Sequence, residues 1–411
     1  MSPVCCSVGE LEGGSPSTMA MTNLQTINAV LGTLPRSGIR RLTDAVLGNP
    51  EMADAVQLGF GQPQEASDDC IRAAIIKGAA ERTFGYTANA GLRELREAIV
   101  TKLRVRNRVD TDVDSVFVTP GATYGVSITV GSLINPGDEV LVPDPGYPNF
   151  SAAVRHFGGV VKFYSLREES AFLPDLDEVE ALITPATKAI IINSPGNPTG
   201  AVIGANLMQR LVQLTRERGL WLLSDEVYET YVYGCDHVSP LSFDGAEHVV
   251  GIYSFSKSYN MTGLRVGYVV TRDSALRRAL LNAQELYISC APSISQVAAY
   301  CALTDGEAYL AYMHDEYEKK RDLVMSALGP YAGHRPNGAF YLLVDIGFTG
   351  LGSDQFADQL LRDQHVVVAP GATFGPTSDK YIRVAFTPRM EAVHAGVQKL
   401  RNFLSQWRLA A

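Results

Sequence analysis

The stretch Ser254-Phe255-Ser256-Lys257-Ser258-Tyr259-Asn260-Met261-Thr262-Gly263-Leu264-Arg265-Val266-Gly267-Tyr268 decides how the rest of this chain is read. It joins two short β-rich runs, Val249–Ser254 and Arg265–Thr271. A lysine that follows a strand is ordinarily a solvated surface group. Here two hydroxyls, Ser254 and Ser256, precede Lys257, and Arg265 follows eight residues later. Hydroxyls and a guanidinium together make a clamp for phosphate. An amine beside such a clamp can form an imine with a phosphate-bearing aldehyde.

Working outward, the same pattern recurs. Apolar, β-branched runs appear at Ser115–Thr119, Glu139–Val142, Val160–Tyr164, Lys188–Asn193 and Leu220–Ser224, with helical patterns at Tyr124–Ile134, Leu207–Arg218 and Ser274–Leu286. Alternation of this kind predicts an α/β fold with a mostly parallel seven-stranded sheet covered on both faces. Ligands in such sheets bind beyond the carboxyl ends of the strands. Five polar loops fall there: PGATYG, PDPGYPNF, NSPGNPTG, SDEVY and SFSKSYNMTG. After about Ala298 the pattern changes. A long helical stretch, Ile294 to Ala327, leads into NGAFYLLVDI, a helix at Ser353–Asp363, HVVVAPGATF, DKYIRVAF and a final helix at Arg389–Arg408. Residues 63–298 are therefore expected to form a large domain. Residues 25–62, with a helical pattern over Asn23–Leu47, are expected to join 299–411 in a smaller α+β domain. Residues 1–24, rich in Gly and Ser, are expected to be a poorly ordered tail.

Composition narrows the function classes. The chain has 411 residues, 46% hydrophobic, enough for a large buried core. A net charge of −9 argues against nucleic acid as a partner. No long uninterrupted apolar run suggests a membrane span, and the N-terminus does not read as a secretory signal. Six cysteines are scattered without metal-ligand spacing, so free thiols in a reducing, cytoplasmic setting are expected, and no metal site.

Four further positions could carry chemistry. Asp225 ends an apolar strand; it is either a turn aspartate or the partner of a protonated ring nitrogen, with Tyr228 three residues on as a donor. Gly121-Ala122-Thr123 opens a helix and could receive phosphate on its backbone N–H groups, or be an ordinary turn. Asn197 is held between prolines in Asn193–Gly200. Arg383 sits in the alternating run Tyr381–Phe386; a structural salt bridge and a grip on a substrate carboxylate are equally open.

Taken together, these residues resemble the class I/II aminotransferases, pyridoxal 5′-phosphate (PLP) enzymes of fold type I. SPGNPTG, SDEVYE and SFSKSYNMTGLRVGY are similar to the family's three central motifs. PDPGYPNF, FGYTANAGLRELREAI and YIRVAF are similar to three more, in the right order from about Ser37 onward. The resemblance implies that Lys257 holds PLP as a Schiff base and shuttles the α-proton. It implies Asp225 against the pyridine nitrogen, and Tyr228 and Asn197 as donors to the phenolic oxygen. Tyr147 would stack on the ring; Ser254, Ser256, Arg265, Ala122 and Thr123 would contact the phosphate. Tyr86 would reach the phosphate across a homodimer interface, and Arg383 with the Gly61 backbone would bind the α-carboxylate of amino acid and 2-oxo acid substrates. The chain departs from the family's frequent Gly-Glu-Pro, showing Gly61-Gln62-Pro63 at the substrate mouth. Thr123 stands where an aspartate-using branch carries a lysine, which points to a neutral amino donor. The same residues would serve a PLP-dependent elimination, γ-substitution or cyclisation, as in aminocyclopropane carboxylate synthase. A non-enzymatic sensor on this fold would need a DNA-binding segment that the sequence does not show.

Overall fold

The computed structural model describes residues 29–33, 38–46, 48–81 and 84–408. The expected tail, 1–24, lies outside them, as do parts of the Asn23–Leu47 helical pattern, of which the helices Ala29–Thr33 and Gly38–Val46 are described. Met1–Leu34 and Pro35–Ala411 are two separate units; all that follows concerns the second.

Among the described residues there are twelve strands: β1 (Val56–Gln57), β2 (Val116–Thr119), β3 (Glu139–Asp144), β4 (Val160–Ser165), β5 (Thr187–Asn193), β6 (Trp221–Asp225), β7 (Val249–Ser254), β8 (Gly267–Thr271), β9 (Tyr341–Asp345), β10 (Val366–Val367), β11 (Ala369–Pro370) and β12 (Tyr381–Ala385). Seven form one sheet in the order β2-β8-β7-β6-β5-β3-β4. Its interior strands are apolar along their middles because helices cover both faces; β5 buries Ala189 to Ile192 and β7 buries Val249 to Tyr253. Side chains of this kind contribute about 1.5–3 kcal/mol each on full burial. β3 to β7 pair in parallel, whereas β8 runs antiparallel to both β2 and β7. That reversal positions the site. The amino end of β8 lies on the same edge as the carboxyl ends of β2 and β7, with Gly267 opposite Thr119 on one side and Ser254 on the other. Arg265, just ahead of β8, is thereby brought to Lys257, just behind β7.

A second, smaller α+β module carries the antiparallel sheet β11-β12-β9, and β1 pairs with β10. The helices Glu307–Leu328, Ser353–Gln364 and Met390–Arg408 pack their apolar faces on it through Met313, Val324, Phe356, Leu360, Val397 and Leu400. Two elements differ from the sequence reading. The helical stretch Ile294–Ala327 is two helices, Ser293–Asp305 and Glu307–Leu328, broken at Gly306, where a Cβ would lie 2.5 Å from the Ala302 carbonyl oxygen. Arg265 is not the first residue of its strand. It takes the left-handed conformation at φ 51° and the strand begins two residues later.

Candidate active site

Register alone begins the site. Asn193 and Asp225 are neighbours at the carboxyl ends of β5 and β6, and Asn193 Nδ2 donates to the Asp225 carbonyl at 2.9 Å. Asn193 Oδ1 accepts the Asn197 backbone N–H at 2.7 Å and pins the proline-bracketed loop over the sheet edge. These groups open into a cavity of about 620 Å³. The cavity wall also includes Gly61, Ala122, Thr123, Tyr147 and Tyr228, and then Ser254, Ser256, Lys257, Arg265 and Arg383. The sequence reading thus chose residues that the fold gathers, with one exception. Tyr86 is 88% exposed and lines a separate surface depression with Phe84 and Ile294.

Lys257 lies in the short helix Phe255–Ser258, capped by Ser254, whose Oγ accepts the Ser256 N–H at 3.1 Å. Its Nζ donates to the Gly61 carbonyl at 2.7 Å. Burial, reinforced by the charges of Arg383 and Arg265, lowers the ammonium to about 8. Asp225 is 5% exposed and, among the described residues, its carboxylate accepts a single N–H, from Val227 at 3.2 Å. Burial raises its carboxyl to about 7, with the charge of Glu226 adding to the effect. A buried carboxylate this poorly satisfied calls for a cationic partner. The Tyr228 and Tyr341 hydroxyls are 2.8 Å apart, and burial holds both above the usual phenol range.

Arg383 is 2% exposed and has no carboxylate partner among the described residues. Its Nη1 donates to Asn197 Oδ1 at 2.8 Å and its Nη2 to the Gly59 carbonyl at 2.7 Å, while Nε is buried without a partner. The guanidinium lies between the rings of Tyr341 and Phe374, at 4.3 and 4.8 Å from their centroids. The salt-bridge alternative is therefore overturned. The Asn197 amide is also oriented by this bond: its oxygen is taken by Arg383, so its NH₂ is the group left to donate. Among the described residues Arg265 donates only to main-chain oxygens, Thr262 at 2.9 Å and Pro120 at 3.4 Å. Gly121, at φ 84°, lets that guanidinium close on the helix Ala122–Leu133; a Cβ there would stand 2.5 Å from Nη2. Arginine without a carboxylate, capping hydroxyls and a helix N-terminus form an anion cradle.

Sequence reasoning missed Tyr341, Ile39, Arg40 and Phe60, which also line the cavity. Tyr341 was within reach, since it follows Phe340 in an apolar run that includes β9. Arg40 gives no local signal, because it is one of two adjacent arginines on a helix.

A model of the family described as aminotransferase class I and II matches residues 53–400. The chain belongs to the class I and II aminotransferases. The aspartate aminotransferase of Pyrococcus horikoshii is 32% identical over 90% of this chain and 95% of that relative. The aromatic-amino-acid aminotransferase 2 of Thermococcus litoralis is 31% identical over 91% and 97%. The crystal structure of an aromatic aminotransferase from Pyrococcus horikoshii superposes with a TM-score of 0.83 at 31% identity, covering 90% of this chain and all of that one. This aminotransferase has the fold type I architecture, uses PLP, and transfers an amino group between an amino acid and a 2-oxo acid.

The residues present fit that cofactor. A phosphate has the cradle of Arg265 and the helix N-terminus, a ring nitrogen has Asp225, and a carbonyl carbon has the amine of Lys257. Beside Asp225, away from the cavity, Glu226, Glu229 and His237 cluster with Lys102, which pairs with Glu229.

Proposed function

We propose that Lys257 is the covalent anchor of PLP and the base that carries the α-proton of the amino acid. The observation that carries this reading is that the half-buried Lys257 and the buried Asp225 and Arg383 face one cavity, none held by an opposite charge within ion-pair distance among the described residues. When bound, PLP supplies an electron sink for the negative charge left on the α-carbon. The protein's part is binding, orientation and proton movement. With its ammonium lowered to about 8, about a tenth of Lys257 is neutral at pH 7, far more than an ordinary lysine, which suits it to take a proton at Nζ. Asp225 holds the ring nitrogen's proton in place, and Tyr228 and the Asn197 NH₂ donate to the phenolic oxygen. Tyr147, whose hydroxyl accepts from Asn149 Nδ2 at 2.9 Å, offers its ring as the stacking face. Ser254, Ser256, Arg265, Ala122 and Thr123 hold the phosphate. Arg383, with the Gly61 backbone, binds the α-carboxylate.

The exposed position of Tyr86, outside its own chain's cavity, is what a contact to a neighbouring subunit's phosphate requires, and it supports a homodimer. The unpaired thiols of Cys70, Cys235, Cys290 and Cys301 support a reducing, cytoplasmic setting, and no described helix is long and apolar enough to cross a membrane. The β1–β10 pairing supports a small domain in which the segment leading up to residue 62 joins 299–411, with 63–298 as the large domain. Thr123, Val126 and Ile39 on the cavity wall favour a neutral amino donor. Borohydride reduction of the holoenzyme followed by peptide mapping should place the pyridoxyl group on Lys257; a label on another lysine refutes the assignment.

A further inference from the structure

Asp144 has no part in the reading above, although it ends β3 inside the PDPGYPNF loop that carries Tyr147. It is 2% exposed and makes no ion pair among the described residues. Burial raises its carboxyl above the usual range, and only neutral donors oppose that shift. Oδ2 accepts the Thr377 backbone N–H at 3.2 Å, and the Ser378 hydroxyl donates to Oδ1 at 3.4 Å. Both donors belong to the loop between β11 and β12. A carboxylate buried without a cation is costly, and apolar packing would hold a loop with less penalty. What the carboxylate adds is direction, since its two oxygens fix the loop in one register.

That loop bears on the substrate. It carries Phe374, one of the two rings that confine the Arg383 guanidinium, and it leads into the strand on which Arg383 stands. The N–H of Gly146, two residues past Asp144, donates to the Phe374 carbonyl at 2.8 Å, and Tyr147 follows directly. Gly375 takes φ 146°, and a Cβ there would lie 2.0 Å from Asp144 Oδ1, so only glycine allows the approach. The far side of the loop is held as firmly: Asp379 Oδ1 accepts the Ser353 N–H at 2.9 Å and the Ser353 hydroxyl at 2.7 Å. The loop is thus anchored on two sides, and Asp144 with Gly146 is its tie to the edge of the large sheet.

We infer that Asp144 is a positioning residue: by holding the 374–378 loop against the end of β3, it sets the place of the Arg383 guanidinium relative to the Tyr147 ring. This rests on the proposed roles of Arg383 and Tyr147. A substrate held by its α-carboxylate reaches the reacting geometry only if that grip and the stacking face stand at a fixed separation. A displacement of about 1 Å costs on the order of 100-fold in rate. Asp144 joins the two through one loop and does not line the cavity itself.

The test compares wild type, Asp144→Ala, Asp144→Asn, Ser378→Ala, Phe374→Leu and the double variant Asp144→Ala with Phe374→Leu. Calorimetry of the holoenzymes with unreactive propionate should show Kd rising about tenfold in Asp144→Ala and about threefold in Ser378→Ala. Asp144→Asn keeps one acceptor oxygen and should recover part of the loss. The affinity of the apoproteins for PLP, by fluorescence titration, should stay at the wild-type value, which a general loosening of the fold would not allow. Removing Asp144 on the Phe374→Leu background should add little, because its effect passes through that ring. Unchanged propionate affinity in Asp144→Ala, PLP affinity falling in step with it, or fully additive losses in the double variant each overturn the inference. If Asp144→Ala does not fold, Ser378→Ala and Asp144→Asn decide, and wild-type propionate affinity in both overturns it. If Arg383→Lys kept full affinity for propionate, the α-carboxylate reading beneath the inference would fail instead.

Discussion

The buried carboxyl of Asp225 makes a prediction about the protein without its cofactor. Its folded-state pKa is about 7 against an ordinary value of 3.8, because burial disfavours the charged form. The folded apoprotein therefore keeps a proton that the unfolded chain releases, and stability falls as pH rises from about 4 to about 7. At about 1.36 kcal/mol per decade the whole range is worth roughly 4 kcal/mol, of which about 2.6 kcal/mol lies between about pH 5 and pH 8. An unfolding entropy of about 2.1 cal/mol/K for each of the 411 residues converts this to a Tm difference of about 3 °C. Asp225→Asn keeps the size of the group and removes the titration. Thermal melts of both apoproteins at the two pH values isolate the carboxyl together with the groups its charge is coupled to, Lys257 among them. The wild type should lose about 3 °C more than Asp225→Asn on going to the higher pH. Equal losses in the two proteins would show that the carboxyl is not held protonated by its surroundings, and would remove the reason for expecting a cationic ring nitrogen there.

Gly121→Ala should drive Arg265 out of the phosphate cradle and strain a backbone at φ 84°, raising the dissociation constant for PLP at least tenfold by fluorescence titration. Tyr86→Phe should weaken cofactor retention, and sedimentation should find a dimer at assay concentrations; a fully active monomer contradicts the shared site. Lys102→Met leaves Glu229 buried without its partner behind Asp225, at a cost of about 3–5 kcal/mol in urea denaturation. A loss under about 1 kcal/mol would mean that Asn107, which donates to Glu229 at 2.7 Å, satisfies it alone.

Much of this was legible in the chain before it folded. Strands buried on both faces leave unbroken apolar runs, so all seven members of the large sheet could be read to within two residues. Loops at their carboxyl ends carry the polar residues that a covered sheet cannot hold elsewhere, which made Asn197, Asp225 and Lys257 conspicuous. The break at Gly306 was not legible, because a lone glycine is tolerated inside a helix at modest cost and only the tight Ala302 contact forces a turn. Arg383 could not be resolved from its strand pattern; what separates a grip from a salt bridge is the absence of a facing carboxylate, and that depends on β9, β11 and the Gly59 loop. Arg40 was invisible for the same reason. Nothing in Arg40-Arg41 says which arginine turns to Asp354 and which to the cavity.

The aromatic rings on either side of Arg383 have one more effect. A guanidinium fixed between Tyr341 and Phe374 cannot rotate about its own axis, so the plane of a carboxylate paired with it is fixed too. Lys257 Nζ lies in the same cavity, and the mouth admits the side chain from a third direction. With carboxylate, hydrogen and side chain each given a separate place, the fourth substituent of the α-carbon has no freedom left. A mirror-image substrate could satisfy two of the three places, and its hydrogen would then point away from the amine. The handedness of the amino acids that fit this cavity would thus depend on the two rings that hold Arg383 in place.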